Sequence, residues 1–193
     1  MKRIVLLISF VFALALCASA QTYINFNDMP MATTPSPMPD LYPSGVSLYW
    51  DNFAYVTPGA WDKAGPGFWV GPYAGDVVFI GGPLCPLALP TPCGASIKMN
   101  PIPATPTALP SFTPVSMTLS AGWSANHVII NAFNKGTWVG SITLSLTTTP
   151  HIYPLPPTWK DITQLTFTPE LTSNHAVYPQ GSMVMYNFIL MKH

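Results

Sequence analysis

Twenty-three prolines, all after residue 20, constrain this chain more than any other feature. A proline inside a helix removes a backbone donor, clashes with the preceding turn and costs about 3 kcal/mol. At 13% of residues 21–193 that penalty recurs too often for a helical protein. The charged residues that support helices are also scarce: Glu170 is the only glutamate, and 7% of the chain is charged. The chain is therefore expected to be all-β.

The prolines concentrate in two segments, five between Pro30 and Pro43 and nine between Pro83 and Pro114. Both are expected to be loops with no regular sheet or helix. Strand character fills the remainder, most clearly the proline-free run from Val115 to Thr149. There Val115, Met117 and Leu119 alternate with Ser116, Thr118 and Ser120, and Ile142, Leu144 and Leu146 alternate with Ser141, Thr143 and Ser145. A period of two predicts strands with one buried face. His127 to Phe133 is apolar on both faces, as in a central strand, and Asn134-Lys135-Gly136 reads as a three-residue hairpin turn with Gly at the left-handed position. Further strands are expected over Tyr23–Asn27, Val46–Val56, Asp76–Ile80, His151–Leu155, Ile162–Thr168 and Ser182–Met191. Short strands joined by turns, without the spacing of βαβ units, imply an antiparallel β-sandwich. Long Pro-rich loops would connect the strands, with prolines along the sheet edges to discourage pairing between molecules.

Lys2 and Arg3, the apolar run Ile4–Cys17 and the small-residue site Ala18-Ser19-Ala20 read as a signal peptide over residues 1–20. The run is too short to span a membrane, so a secreted, extracellular product free of the membrane is expected. The 173 residues that follow fit one domain, 21–193. Cys85 and Cys93 then form the mature pair, and an even count in an oxidising compartment predicts a disulfide worth roughly 2.5 kcal/mol. Seven basic and seven acidic residues leave no basic surface for nucleic acid.

Short motifs stand in order along the chain: Asn25-Phe26-Asn27-Asp28, Pro43-Ser44-Gly45, Trp50-Asp51-Asn52-Phe53 and Leu119-Ser120-Ala121-Gly122-Trp123. After them come the hairpin Ile129–Gly136 and Asp161–Phe167. As an ordered set they resemble a group of uncharacterised secreted proteins, common in fungi, that are expected to adopt a galactose-binding-like jelly roll related to carbohydrate-binding modules. The resemblance implies a structural calcium held by an N-terminal acidic pair and an Asp in the closing strand. Here the corresponding residues are Asn27 and Asp28, then Met185-Tyr186-Asn187-Phe188 with Tyr in place of Asp. Calcium takes six to eight hard oxygens, so these replacements should weaken or abolish the site, leaving Asp28, Asn27 and Asn187 as the candidate ligands.

No catalytic constellation stands out. Asp51, Asp62, Asp76, Asp161 and Glu170 show no spacing that selects an acid/base pair, and Gly122-Trp123-Ser124-Ala125-Asn126 lacks the closing Gly of a nucleophile elbow. The four histidines are scattered. What remains is aromatic surface, because sugar C–H faces pack on Trp and Tyr rings while hydroxyls bond to nearby polar groups. Tyr55, Trp61, Asp62, Trp69, Tyr73 and Asp76, set among glycines and prolines, form the expected ligand platform; Trp50, Trp123 and Trp138 are expected in the core, and Trp159 fits either place. The expected function is that of a monomeric, non-catalytic carbohydrate-binding or cell-wall-associated module whose partner is a polysaccharide, with no cofactor beyond that calcium. The alternatives are a self-assembling adhesive surface protein and a polysaccharide-active enzyme on a jelly-roll fold.

Overall fold

The computed structural model describes residues 20–39, 41–46, 48–60, 66–68, 75–80, 94–99, 110–123, 125–170 (Glu170 by its backbone alone) and 183–193. The signal segment before Ala20, Cys85 and Cys93, and Trp61, Asp62, Trp69 and Tyr73 lie outside the described residues.

Among the described residues the chain forms twelve strands. They are β1 (Gln21–Asn25), β2 (Ser36–Pro37), β3 (Leu48–Asp51), β4 (Phe53–Val56), β5 (Val77–Ile80) and β6 (Ala95–Met99). The remainder are β7 (Phe112–Ala121), β8 (Asn126–Asn134), β9 (Thr137–Leu146), β10 (His151–Pro154), β11 (Gln164–Glu170) and β12 (Met183–Lys192). Two antiparallel sheets pack as a sandwich. The seven-stranded sheet runs β10-β7-β12-β5-β4-β2, with β1 also on β12; the five-stranded sheet runs β3-β6-β11-β8-β9. One edge of β12 is paired along its length with β7, and its other edge is shared by β5 and β1.

The main core lies between the sheets and takes alternate residues from each. Met117, Leu119, Met185, Phe188 and Leu190 meet Ile97, Val128, Ile130, Leu165 and Phe167, all fully buried. Trp50 belongs to it as expected, and Trp159 is also buried.

Several sequence expectations change in detail. The stretch Val46–Val56 is two strands in different sheets, because Asn52 adopts φ 58° and turns the corner while its Nδ2 donates to the Gly94 carbonyl at 3.0 Å. Asn tolerates this left-handed conformation better than most residues. The hairpin lies at the expected place, but its turn has two residues, Lys135 (φ 49°) and Gly136 (φ 81°), with Asn134 paired to Thr137. Two left-handed residues match the twist of the flanking strands. The proline-dense segments hold strands after all: β2 lies in the first, and β6, in the gap between Pro92 and Pro101, sits between β3 and β11. Prolines within strands stand where a ladder tolerates a missing donor. Pro37 and Pro154 are on the edge strands β2 and β10, Pro114 adjoins a bulge opposite Ile189/Leu190, and Pro169 lies beyond the end of β6.

The alternation in β7 does not leave its polar face in water. Ser116, Thr118 and Ser120 are buried; Ser120 lies against a second apolar cluster on the outer face of the seven-stranded sheet, made of Ala54, Val56, Phe68, Val77, Phe79, Val184 and Tyr186, and Thr118 donates to Asn187. Phe68, in the short 3-10 turn Pro66–Phe68, covers this cluster with Trp123, their rings 5.0 Å apart. The Gly67 N–H donates to the Gly122 carbonyl at 2.9 Å, and the Gly67 carbonyl accepts from Ser120 Oγ at 2.7 Å and from the Tyr186 hydroxyl. A Cβ on Gly67 would stand 1.7 Å from the Ala121 carbonyl oxygen. Only glycine fits.

Two substitutions test this docking. Phe68→Ala should lower the unfolding free energy by about 3–5 kcal/mol in urea denaturation, the usual loss for a fully buried phenylalanine. Gly67→Ala should also destabilise, by about 1–3 kcal/mol, although the same exchange at an open position stabilises through the unfolded chain.

Candidate functional site

Three places hold the residues singled out by sequence, and they differ in what they leave accessible. The first is the turn after β1. Asn27 and Asp28 are exposed there, and the buried Tyr42 reaches in so that its hydroxyl is shared between the Asn25 carbonyl, at 2.5 Å, and the Asp28 carboxylate. Burial, reinforced by the Asp28 carboxylate, holds the Tyr42 hydroxyl protonated far above the usual phenol range. Thr57 Oγ donates to Asp76, whose carboxyl burial raises despite that bond. Asn27 Oδ1 lies where a Cβ of Gly75 would stand, 1.9 Å away.

The candidate calcium ligands Asp28 and Asn187 are tied into hydrogen bonds of the protein's own. The phenolic hydroxyl already occupies the Asp28 oxygen and the Asn25 carbonyl, and Asp76 is engaged by Thr57. Asn187 is committed as well: its Oδ1 accepts from Thr118 at 2.8 Å and its Nδ2 donates to the Tyr23 hydroxyl at 3.1 Å. Among the described residues no group of three or more His, Cys, Asp or Glu side chains is placed to hold a metal ion, while calcium usually takes several carboxylates within six to eight oxygens.

The second place is the expected platform between Tyr55 and Asp76. Its described members do not present a surface. Tyr55 is half-buried against the main core, Asp76 is buried, and the intervening Gly67-Phe68 faces the sheet. The glycine and aromatic content of this segment thus serves a packed cover in the part that is described.

The third place is the outer face of the five-stranded sheet, which sequence reasoning missed. Because Leu48, Trp50, Ile97, Leu165, Phe167, Val128, Ile130 and Ala132 point into the core, their alternates point outward. Register then aligns one row across all five strands: Tyr49 opposite Lys98, Lys98 opposite Gln164, Gln164 opposite Phe133, and Phe133 opposite Trp138. Two residues along, a second row runs Asp51, Ser96, Thr166, Asn131, Ser141. Trp138, expected in the core, is instead 60% exposed, and Tyr49 is 38% exposed. The bulge opposite Ala132/Phe133 sets which face Trp138 joins, and a single extra residue inverts the alternation that sequence counting relies on.

Polar groups between the aromatic ends are mutually ordered. Lys98 Nζ lies 2.5 Å from Asp51 Oδ2, Ser96 Oγ donates to the same oxygen at 3.0 Å, and Asn131 Nδ2 donates to Thr166 Oγ1 at 3.4 Å. Partial burial alone would raise the Asp51 carboxyl, but the bonds from Lys98 and Ser96 and the lysine charge outweigh it and hold the group below the usual carboxylate range. The face thus offers aromatic rings at both ends, a neutralised ion pair, and hydroxyl and amide groups between. Such a surface can pack on the C–H faces of a ligand and exchange hydrogen bonds with its hydroxyls. The one sequence signal for it was the outward parity of Tyr49 between Leu48 and Trp50, and of Phe133 after Asn131.

No protein-family model matches the chain, and no curated protein matches it. Among solved structures the chain is similar to one from the "Glycosylation Associate Protein (Gap123) complex from Streptococcus agalactiae", with a TM-score of 0.29 and 16% sequence identity. That likeness covers 90% of this chain and 45% of the other, so this chain spans under half the length of its neighbour. At that score the likeness transfers neither site nor activity.

The buried carboxyl gives a signed pH test. The Asp76 carboxyl keeps its proton to a higher pH folded than unfolded, so it lowers stability as pH rises past 3.8, the ordinary value. Asp76→Asn keeps an acceptor for Thr57. It should melt above the parent at neutral pH, and that advantage should vanish below pH 3.8 in thermal scans.

Proposed function

We infer that this protein is a secreted, non-catalytic carbohydrate-binding or cell-wall-associated module, and that its glycan contact is the outer face of the five-stranded sheet. The observation that carries this reading is the row from Tyr49 to Trp138, in which rings at either end flank side chains able to donate and accept hydrogen bonds. On the other broad face, Phe68 and Trp123 cover the part over β4, β5 and the start of β12, while Tyr23 and Ile152 stay exposed beyond that cover. Trp138 stands at the start of the edge strand β9 with the exposed Val139 beside it and Phe133 opposite, an apolar patch that a ligand contact would cover. The ordered motifs that resemble galactose-binding-like secreted proteins, together with the signal-like N-terminus, agree with an extracellular glycan partner.

Retention of the purified protein on insoluble glucans, chitin and mannans tests the reading. Trp138→Ala should weaken retention about tenfold, the equivalent of about 1.4 kcal/mol, with an unchanged melting temperature, since the ring is exposed. Trp50→Ala, by contrast, should unfold the domain. Undiminished retention by Trp138→Ala would remove the site. Sedimentation without sugar provides the counter-test: dimers that disappear in Trp138→Ala would assign the face to self-association instead.

A further inference from the structure

The arrangement of charge and rings on the same face narrows the ligand. Tyr49 and Trp138 lie on the two outermost strands of the sheet, four strand spacings apart, or about 19 Å at about 4.8 Å each. A mono- or disaccharide placed on one ring cannot reach the other. Between them the row contains one cation, Lys98, and Asp51 in the adjoining row holds it at 2.5 Å with Ser96 bonded to the same carboxylate oxygen. The next lysine along the chain, Lys135, stands in the hairpin turn outside the row. The remaining polar groups of the two rows are amides and hydroxyls, so these two rows offer no uncompensated charge to an acidic or a basic polymer.

We propose that the face binds a neutral, linear polysaccharide lying across the strands from Tyr49 to Trp138, and that Asp51 sets this selectivity by neutralising Lys98. The proposal rests on the carbohydrate-binding reading. A chain in this direction touches both rings at once and needs roughly five sugar units, one over each strand, taking one unit as about as long as one strand spacing. The attraction of an acidic polymer for Lys98 is cancelled by the carboxylate already on it, whereas the hydroxyls of a neutral chain can bond to Gln164, Asn131 and the outer oxygens of the pair. Asp51 is a specificity-determining residue here, acting through Lys98.

Calorimetric titration separates the possibilities. The probes are neutral β-linked gluco- and manno-oligosaccharides as dimer, pentamer and hexamer, with oligogalacturonate of hexamer length as the acidic chain. The proposal expects the pentamer to bind at least tenfold more tightly than the dimer, and the hexamer to add little. It expects the acidic hexamer to bind at least tenfold more weakly than the neutral one. Asp51→Asn should raise affinity for the acidic hexamer several-fold, and added salt should erase that gain, since an exposed charge attraction is screened. Equal binding of dimer and hexamer, or an acidic chain that binds the parent as tightly as the neutral one, would overturn the proposal while leaving carbohydrate binding in place. An acidic affinity in Asp51→Asn no higher than in the parent would overturn the role of Asp51. Absence of binding by every oligosaccharide, with the same protein also unretained on the insoluble panel, would sink the carbohydrate reading and this proposal with it.

Discussion

A chain of aromatic rings joins the two sheets, and the positions of the other elements follow from it. Tyr42 stacks on Phe26 at 5.8 Å, Phe26 meets the edge of Trp50 at 5.7 Å, Trp50 meets Phe53 at 5.3 Å, and Phe53 meets Phe167 at 5.6 Å. Trp50 and Phe167 belong to the five-stranded sheet, Phe53 belongs to the seven-stranded sheet, and Phe26 directly follows β1. Each such contact adds about 0.5–1.5 kcal/mol to the burial of large apolar surfaces. The Trp50 indole N–H is satisfied by the Tyr42 carbonyl at 2.7 Å, so a large polar-tipped ring sits in the core with its donor paired. Asn52 lies between Trp50 and Phe53 and takes the left-handed corner that lets neighbouring rings enter from opposite sheets.

This packing makes the two outer faces unequal. On the seven-stranded side, Val56, Val77, Phe79 and Val184 leave an apolar outer surface that water would penalise, and the Gly67-Phe68 turn with Trp123 closes it. The closure depends on hydrogen bonds from Ser120 and Tyr186 to one backbone carbonyl, and on the lack of a side chain at Gly67. On the five-stranded side the outward residues are mostly Ser, Thr, Asn and Gln with rings at the ends, and that face needs no cover. The seven-stranded face is thus self-covered over part of its area, with Tyr23 and Ile152 exposed beyond it, whereas the five-stranded face is open across all five strands.

Much of the fold was legible because its signals are local. The proline density and lack of charged helix formers excluded helix, and the alternation from Val115 to Leu146 located β7, β8 and β9. The hairpin between β8 and β9 was located, one residue too long as Asn134-Lys135-Gly136, because turn chemistry is confined to a few neighbouring residues. The candidate site was far less legible. The stretch richest in Trp and Gly drew attention between Tyr55 and Asp76, yet its described residues face inward, since aromatic content reports apolar area and not which side of a layer carries it. Trp138 was assigned to the core by its place on a strand pattern, and a bulge beside it reversed that assignment.

Composition and periodicity determined by themselves that this protein is an all-β sandwich, because the conformational preferences of proline and the two-residue repeat of a strand act over a few neighbouring residues. Only the tertiary structure decided which residues share a surface. Tyr49, Lys98, Gln164, Phe133 and Trp138 are scattered between positions 49 and 164 of the sequence and meet only through the register of five strands. Register is fixed by which face each strand must bury against the core, and that requirement exists only once both sheets are present.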